Sequence, residues 1–324
     1  MVNTPLPHLP AVPPRPRIAA GVEELIGRTP LVMLRSPGAA PGARVIAKLE
    51  SANPYASVKD RAALFMVEAA EARGDLVPGG TVIESTSGNT GIALAALAAV
   101  RGYRCVVVLP DSATPERVRL LAALGAEVVQ TRSEDGFAGA IERAEEIDRA
   151  TPDGWYVRQH ENADNTRAHY ETTGPEIWQD TEGRVDVLVM GVGTGGTLSG
   201  AGRYLREQNP RLRIVAVEPA TSAVLSGQAG GPHSIPGLNG GFVAPTTEVA
   251  LIDEVLTCTD EQAMETARHL ARGQGLFTGI SAGAAVHAAL AVARRPESAG
   301  LTVVTLLPDT GERYASVWSP KEPS

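Results

Sequence analysis

The chain has little with which to brace itself covalently or to cross a membrane. Its two cysteines, Cys105 and Cys258, cannot make a disulfide framework, and both sit in strand-like runs where buried, inert thiols are expected. No apolar run is long enough to span a bilayer. The six histidines show no ligand spacing, so no metal site is expected. Aromatic residues make up only 4% of the 324 residues, which leaves alanine, valine and leucine to build the core. A net charge of −8 excludes the basic face that a nucleic-acid backbone requires, and no block of like charge marks a tail or a membrane patch. The N-terminus lacks an apolar stretch and carries six prolines in its first 16 residues. A disordered lead-in over residues 1–20 is expected rather than a signal peptide, and the chain reads as a cytoplasmic globular protein.

Lysine is scarce too. Of 29 basic residues only Lys48, Lys59 and Lys321 are lysine. Where arginine serves for ordinary positive charge, a remaining lysine suggests a primary amine, whose pKa can be lowered and which can form a Schiff base. Lys321 lies in the polar tail S-P-K-E-P-S. Lys48 lies in the strand-like R-V-I-A-K-L-E, where its stem is expected to snorkel outward. Lys59, in N-P-Y-A-S-V-K-D-R (53–61), is the candidate for chemistry.

Strand-like and helix-like patterns alternate along the chain. Strands are predicted at 44–50, 81–84, 103–109, 185–190, 212–218 and 301–308, and helices at 59–73, 91–100 and 114–125, the last capped by Thr114. Such alternation over this length implies an α/β fold of two closely packed domains with largely parallel sheets. Residues 219–250, rich in Gly, Ser and Pro with little periodicity, read as a long functional loop.

Three strand–loop–helix junctions carry the remaining chemistry. V-L-V-M-G-V-G-T-G-G-T-L-S-G (187–200) runs a hydrophobic strand into a glycine-rich loop that opens a helix. Free amides, the helix dipole and the hydroxyls of Thr194 and Thr197 make a phosphate cup there. Gly191, Gly193 and Gly196 also satisfy G-x-G-x-x-G, with Glu218 at roughly the spacing of a ribose-binding acid, so a nicotinamide dinucleotide is a rival reading of the loop alone. V-I-E-S-T-S-G-N-T-G-I-A-L (82–94) dresses another helix start with Thr86, Ser87, Asn89 and Thr90, uncharged donors suited to a carboxylate. G-L-F-T-G-I-S-A-G-A-A-V (275–286) puts Ser281 just before a helix, where a plain N-cap is the ordinary explanation. A lysine, a phosphate cup, ring partners and a carboxylate site together describe pyridoxal phosphate acting on an amino acid.

From G-R-T-P-L-V (27–32) to G-E-R-Y-A-S (311–316), with N-P-Y-A-S-V-K-D-R, S-T-S-G-N-T-G, T-T-G-P-E-I-W-Q-D-T, G-V-G-T-G-G-T and G-I-S-A-G-A-A between, the chain resembles the cysteine synthase (O-acetylserine sulfhydrylase) family. These are fold-type II pyridoxal-phosphate enzymes, tryptophan synthase β-like in fold and related to cystathionine β-synthase. The resemblance implies a smaller mobile α/β domain over 53–163 and a larger cofactor-binding domain from 21–52 plus 164–324, usually as a homodimer. It implies that Lys59 binds pyridoxal 5′-phosphate covalently and moves the substrate's α-proton. Gly193, Thr194, Gly195, Gly196 and Thr197 would hold the phosphate, Asn89 the ring hydroxyl and Ser281 the ring nitrogen. Thr86, Ser87, Asn89, Thr90 and Gln159 would grip the substrate carboxylate. The implied reaction is β-replacement on an activated L-serine through an aminoacrylate, with sulfide giving L-cysteine. Alternatives keep the cofactor and change the nucleophile, as in a specialised amino-acid synthase or a cystathionine-forming enzyme; a serine acetyltransferase is an implied partner.

Ser281 has a chemical consequence: a neutral hydroxyl at the ring nitrogen gives a shallower electron sink than a carboxylate, which favours prompt loss of a β-leaving group. No lysine or arginine lies between Pro219 and Gln262, which favours acetate over phosphate as that group unless an arginine reaches in from elsewhere. Two stretches depart from the family pattern. His160 stands where phenylalanine is common, and Pro236 and Asn239 stand where glutamine and glycine are typical. Drift in surface loops is one explanation. The other makes His160 and Asn239 determinants of nucleophile specificity, with His160 handling a proton near neutral pH.

Overall fold

The computed structural model describes residues 18–86 and 88–318. Ten strands are assigned among them: β1 (Leu31–Leu34), β2 (Arg44–Leu49), β3 (Thr81–Ser85), β4 (Arg104–Pro110), β5 (Glu127–Thr131), β6 (Gly154–Tyr156), β7 (Val187–Gly191), β8 (Arg213–Pro219), β9 (Glu254–Cys258) and β10 (Thr302–Leu307). They form two sheets. The first has the order β1-β2-β10-β7-β8-β9 and is parallel except for the β1–β2 pair, and the second, β5-β4-β3-β6, is wholly parallel.

The helices are α1 (Lys59–Arg73), α2 (Asn89–Arg101), α3 (Pro115–Ala123), α4 (Gly136–Ala150), α5 (Ala163–Ala168), α6 (Gly174–Asp180), α7 (Gly196–Gln208), α8 (Asp260–Gln274), α9 (Ile280–Ala293) and α10 (Ala315–Trp318). They cover both faces of each sheet, as parallel strands require. Along β7, Val187 and Val189 pack toward α8 and α9, while Leu188 and Met190 pack toward α6 and α7. The second sheet carries α1, α2 and α3 on one face and α4 on the other. Both cysteines are free and buried, and burial pushes both thiols up to about 12.

Three local expectations need correction. Lys48 does not snorkel outward but is fully buried. The strand alternation turns it toward α6, where its Nζ meets Glu176 at 2.9 Å and the Thr29 carbonyl at 2.9 Å. Thr114 precedes α3, but its hydroxyl makes no cap and has no partner among the described residues; Pro115, which has no N–H to satisfy, starts the helix. Ser281 is not the cap of α9. Gly279 holds that place, and Ser281 lies inside the first turn. The lead-in, apart from residues 18–20, and Lys321 lie outside the described residues.

Below Lys59 the fold is anchored by a buried ionic cluster. Arg61, two residues along α1, bonds both oxygens of Glu50 (2.8 and 2.9 Å) and of Glu176 (2.6 and 2.7 Å), and Thr29 donates to Glu50 at 2.6 Å. Burial works against ionisation of Glu50, but the Arg61 and Lys48 charges hold its carboxyl at about 2. Two cations and two anions balance, and the start of α1 is tied to β2 and α6 at once.

Candidate active site

The strands of both sheets deliver their loops to a shared cleft, the expected place for a ligand in open parallel sheets. A cavity there is lined by Lys59, Asn89, Gly193, Thr194, Gly195, Thr197 and Ser281, together with Asp309. It adjoins an open space of about 1000 Å³ lined by Thr86, Thr90, Gln159, His160 and Asn239, with Lys59 and Asn89 on both. Lys59 and Ser281, 222 positions apart along the chain, therefore line one cavity. Ser87 lies outside the described residues, and Gly196 does not line the cavity.

The phosphate loop owes its shape to packing. Gly195 has φ +81°, and a Cβ there would run into Thr247; a Cβ on Gly193 would overlap the Gly237 carbonyl, and one on Gly196 the Asn165 amide. The loop 219–250 thus presses on the cup from outside, as Thr246 donates to the Thr194 carbonyl at 2.5 Å. Asn165 donates to the Thr194 hydroxyl at 3.0 Å, and the His169 ring meets the Thr197 hydroxyl at 3.2 Å. The first intrahelical bond of α7 runs from the Ser199 amide to the Gly195 carbonyl at 2.9 Å, so the amides of residues 196–198 lack an i−4 partner. Glu218 is fully buried and bonds Leu225 and Ser226 of its own loop at 2.6–3.0 Å. It is not offered to a ribose, which removes the support for a dinucleotide.

Lys59 opens α1 with its Nζ 3.4 Å from the Thr194 hydroxyl. The side chain faces the cavity rather than bulk water, and desolvation lowers its amine to about 8. Asn89 is fixed in one orientation. Arg313, which can only donate, contacts its Oδ1, so its Nδ2 faces Asp309 at 2.7 Å. Tyr314 donates to the same Asp309 oxygen at 2.5 Å. Asn89 therefore keeps one Nδ2 hydrogen to offer the cavity, which suits a ring oxygen acting as acceptor.

On the carboxylate side, the Thr86 hydroxyl accepts the Gly88 amide at 3.1 Å. Thr90 donates to Gln159 Oε1 at 2.6 Å, and Gln159 Nε2 donates to Glu84 at 3.0 Å. His160 sits between Phe137 and Phe242, with ring centroids 5.3 Å from each. Burial pushes its imidazole down to about 4, so it is neutral across the physiological range and cannot carry the proton expected of it. Asn239 bonds Ser222 and the Gly241 amide at 2.8–3.1 Å and braces its own loop. An arginine does reach in from elsewhere: Arg117 of α3 lines the outer space, its guanidinium 4.9 Å from the Tyr314 ring centroid.

Arg117, Asp309, Arg313 and the supports Asn165 and His169 went unread in the sequence. The tail motif P-D-T-G-E-R-Y held a signal, as it places a carboxylate, a guanidinium and a phenol within six residues. The cavity fits a phosphorylated aldehyde: a desolvated amine, free helix-start amides, a fixed amide donor and a hydroxyl share one space. Among the described residues no group of three or more His, Cys, Asp or Glu could hold a metal, and no helix is long and apolar enough to cross a membrane.

Comparison with known proteins agrees with this geometry. The family model described as pyridoxal-phosphate dependent enzyme matches residues 22–309. Cysteine synthase 3 of Caenorhabditis elegans is 46% identical over 292 residues, covering 90% of this chain and 87% of that protein. The crystal structure of a cysteine synthase from Entamoeba histolytica superposes with a TM-score of 0.91 at 40% identity, over 98% of this chain and 96% of that one. That of O-ureido-L-serine synthase gives 0.89 at 42% identity, over 95% and 98%.

Proposed function

The chain belongs to the pyridoxal-phosphate dependent enzymes, and we propose that within them it converts O-acetyl-L-serine and sulfide to L-cysteine and acetate. The observation that carries this reading is the single cavity shared by Lys59, Asn89, the 193–197 loop and Ser281, opening onto the Thr90–Gln159 pair. Lys59 holds the cofactor through its amine. The amides of residues 197 and 198 and the hydroxyls of Thr194 and Thr197 hold its phosphate, Asn89 donates to its ring oxygen, and Ser281 faces its ring nitrogen. When bound, pyridoxal phosphate supplies the electron sink that acidifies the substrate's Cα–H and lets the β-substituent leave.

Thr86, Ser87, Asn89, Thr90 and Gln159 grip the substrate carboxylate and so aim the Cα–H at Lys59. An amine near 8 keeps a usable neutral fraction at physiological pH and can take that proton. His160 serves as a neutral hydrogen-bonding wall for the nucleophile, flanked by two of the chain's four phenylalanines. Residues 53–163 act as the smaller, closing unit. A cytoplasmic homodimer, open to a serine acetyltransferase, completes the proposal.

One observation favours a second donor: Arg117 supplies the cation that a phosphorylated serine would need. The test is to load the purified protein with pyridoxal phosphate and follow the visible band and the products. A band that shifts with O-acetylserine and returns with sulfide, while cysteine and acetate form in equal amounts, is the expected result. Turnover of O-phosphoserine but not O-acetylserine would transfer the reading to the Arg117 donor site, and no cysteine from either would overturn both.

A further inference from the structure

Four glutamates are all but fully buried, and three of them have compensation. Glu50 and Glu176 share Arg61 and Lys48, and Glu218 accepts two backbone amides and a hydroxyl. Glu84 is different. It lies on β3 at 1% exposure, directly behind Gln159, and no lysine or arginine forms an ion pair with it among the described residues. Its Oε1 accepts Gln159 Nε2 at 3.0 Å, and its Oε2 is buried with no partner among the described residues. For an ionised carboxylate in that place the desolvation cost outweighs the Lys59 attraction and the backbone amides of Arg158 and Gln159, so the neutral acid is the form that fits.

The groups around it favour ionisation only weakly against that burial. Lys59 of α1 faces it and attracts its charge, while Cys105 of β4 and Tyr156 of β6 are themselves neutral and pushed up to about 12. Arg158 offers a backbone amide, but its guanidinium is turned to Glu145 of α4 at 3.0 Å and to the Tyr156 ring. From α2 comes Thr90, bonded to the far end of the same Gln159 amide. Burial is the dominant influence and raises the Glu84 carboxyl to about 8.

We infer that Glu84 is a positioning residue for the amino-acid substrate: as a neutral acid it holds Gln159 with one N–H free for the substrate carboxylate, and as an anion it repels that carboxylate. The Gln159 amide is clamped at both ends, by Thr90 on oxygen and Glu84 on nitrogen, which leaves its second N–H to point elsewhere. A negative charge one hydrogen bond behind the grip opposes an anionic ligand in a low-dielectric cleft. The inference rests on the reading that Thr90 and Gln159 bind the carboxylate.

The test uses the pyridoxal-phosphate-loaded enzyme and compares wild type with Glu84→Gln, which keeps size and stays neutral. KM for O-acetyl-L-serine is measured from pH 7 to pH 9, so that titration of the substrate itself cancels in the ratio. The wild-type to variant KM ratio is expected to rise roughly tenfold over that range as the competent form is depleted, while the kcat ratio stays level. A KM ratio that stays flat, with Gln159→Ala still raising KM, would overturn the role of Glu84 and leave the carboxylate reading standing. If Gln159→Ala leaves KM unmoved at every pH, the carboxylate reading falls and takes this inference with it. Infrared detection of a protonated carboxyl that is present in wild type at pH 7, lost by pH 9 and absent from Glu84→Gln gives a second readout independent of turnover; no such band would overturn the inference.

Discussion

Two buried polar clusters lie on opposite faces of the first turn of α1, and they are built on opposite terms. Beneath, Lys48, Glu50, Arg61 and Glu176 neutralise one another at 2.6–2.9 Å, and Glu50 is driven far down, to about 2. Above, Lys59 and Glu84 face each other without an ion pair; one is lowered to about 8, the other raised to about 8, and His160 is pushed to about 4. The lower cluster has each ion paired. The upper cluster is left partly unsatisfied, which keeps Lys59 and Glu84 near the pH at which protons must move. Lys59 and Arg61, two residues apart, mark the boundary, so the satisfied cluster serves as the foundation on which the unsatisfied one is held.

The comparison breaks most severely at Lys59. Lys59→Arg retains the charge but removes the reactive amine, and a loss of roughly 1000-fold or more in turnover is expected, together with loss of the covalently held cofactor band. On the other face the effect should be on folding. Arg61→Met leaves two buried glutamates short of a cation and should destabilise the protein by about 3–5 kcal/mol in denaturant unfolding.

Glu84→Gln should act in the opposite direction. Glu84 titrates near 4.5 when unfolded and near 8 when folded, so the folded chain retains a proton that the unfolded one has released. Wild-type stability is therefore eroded as pH rises from about 4.5 to 8, and the glutamine variant escapes that loss. Its advantage should be absent near pH 4 and grow to an upper bound of about 4 kcal/mol by pH 8; a constant offset would show that Glu84 does not titrate there. The smallest effect belongs to the periphery. Arg295 pairs with Glu254 at 2.7 Å, each side chain 26% exposed, and Arg295→Ala should cost at most about 1 kcal/mol, less in high salt.

Legibility followed the range of the interactions. Lys59 stood out because lysine is scarce in this chain, and the 193–197 loop because a strand, a glycine run and a helix are consecutive in sequence. Lys48 was misread because strand alternation tells which face a side chain takes but not what covers that face; α6 brings Glu176 to it from 128 positions away. His160 was noticed as an oddity, yet its neutrality depends on Phe137 and Phe242, which only the fold places around it. The absence of cations from 219–262 was read correctly, but Arg117 enters from another helix.

By itself the sequence determined the α/β alternation, the three helix starts and the chemistry each could offer, because amide geometry, glycine freedom and residue type act over a few neighbouring positions. Tertiary structure decided which of those groups share a cavity, which buried charges find a partner and which way the Asn89 and Gln159 amides face. Those outcomes depend on desolvation and on distance through space, and neither quantity is written in the order of residues along the chain.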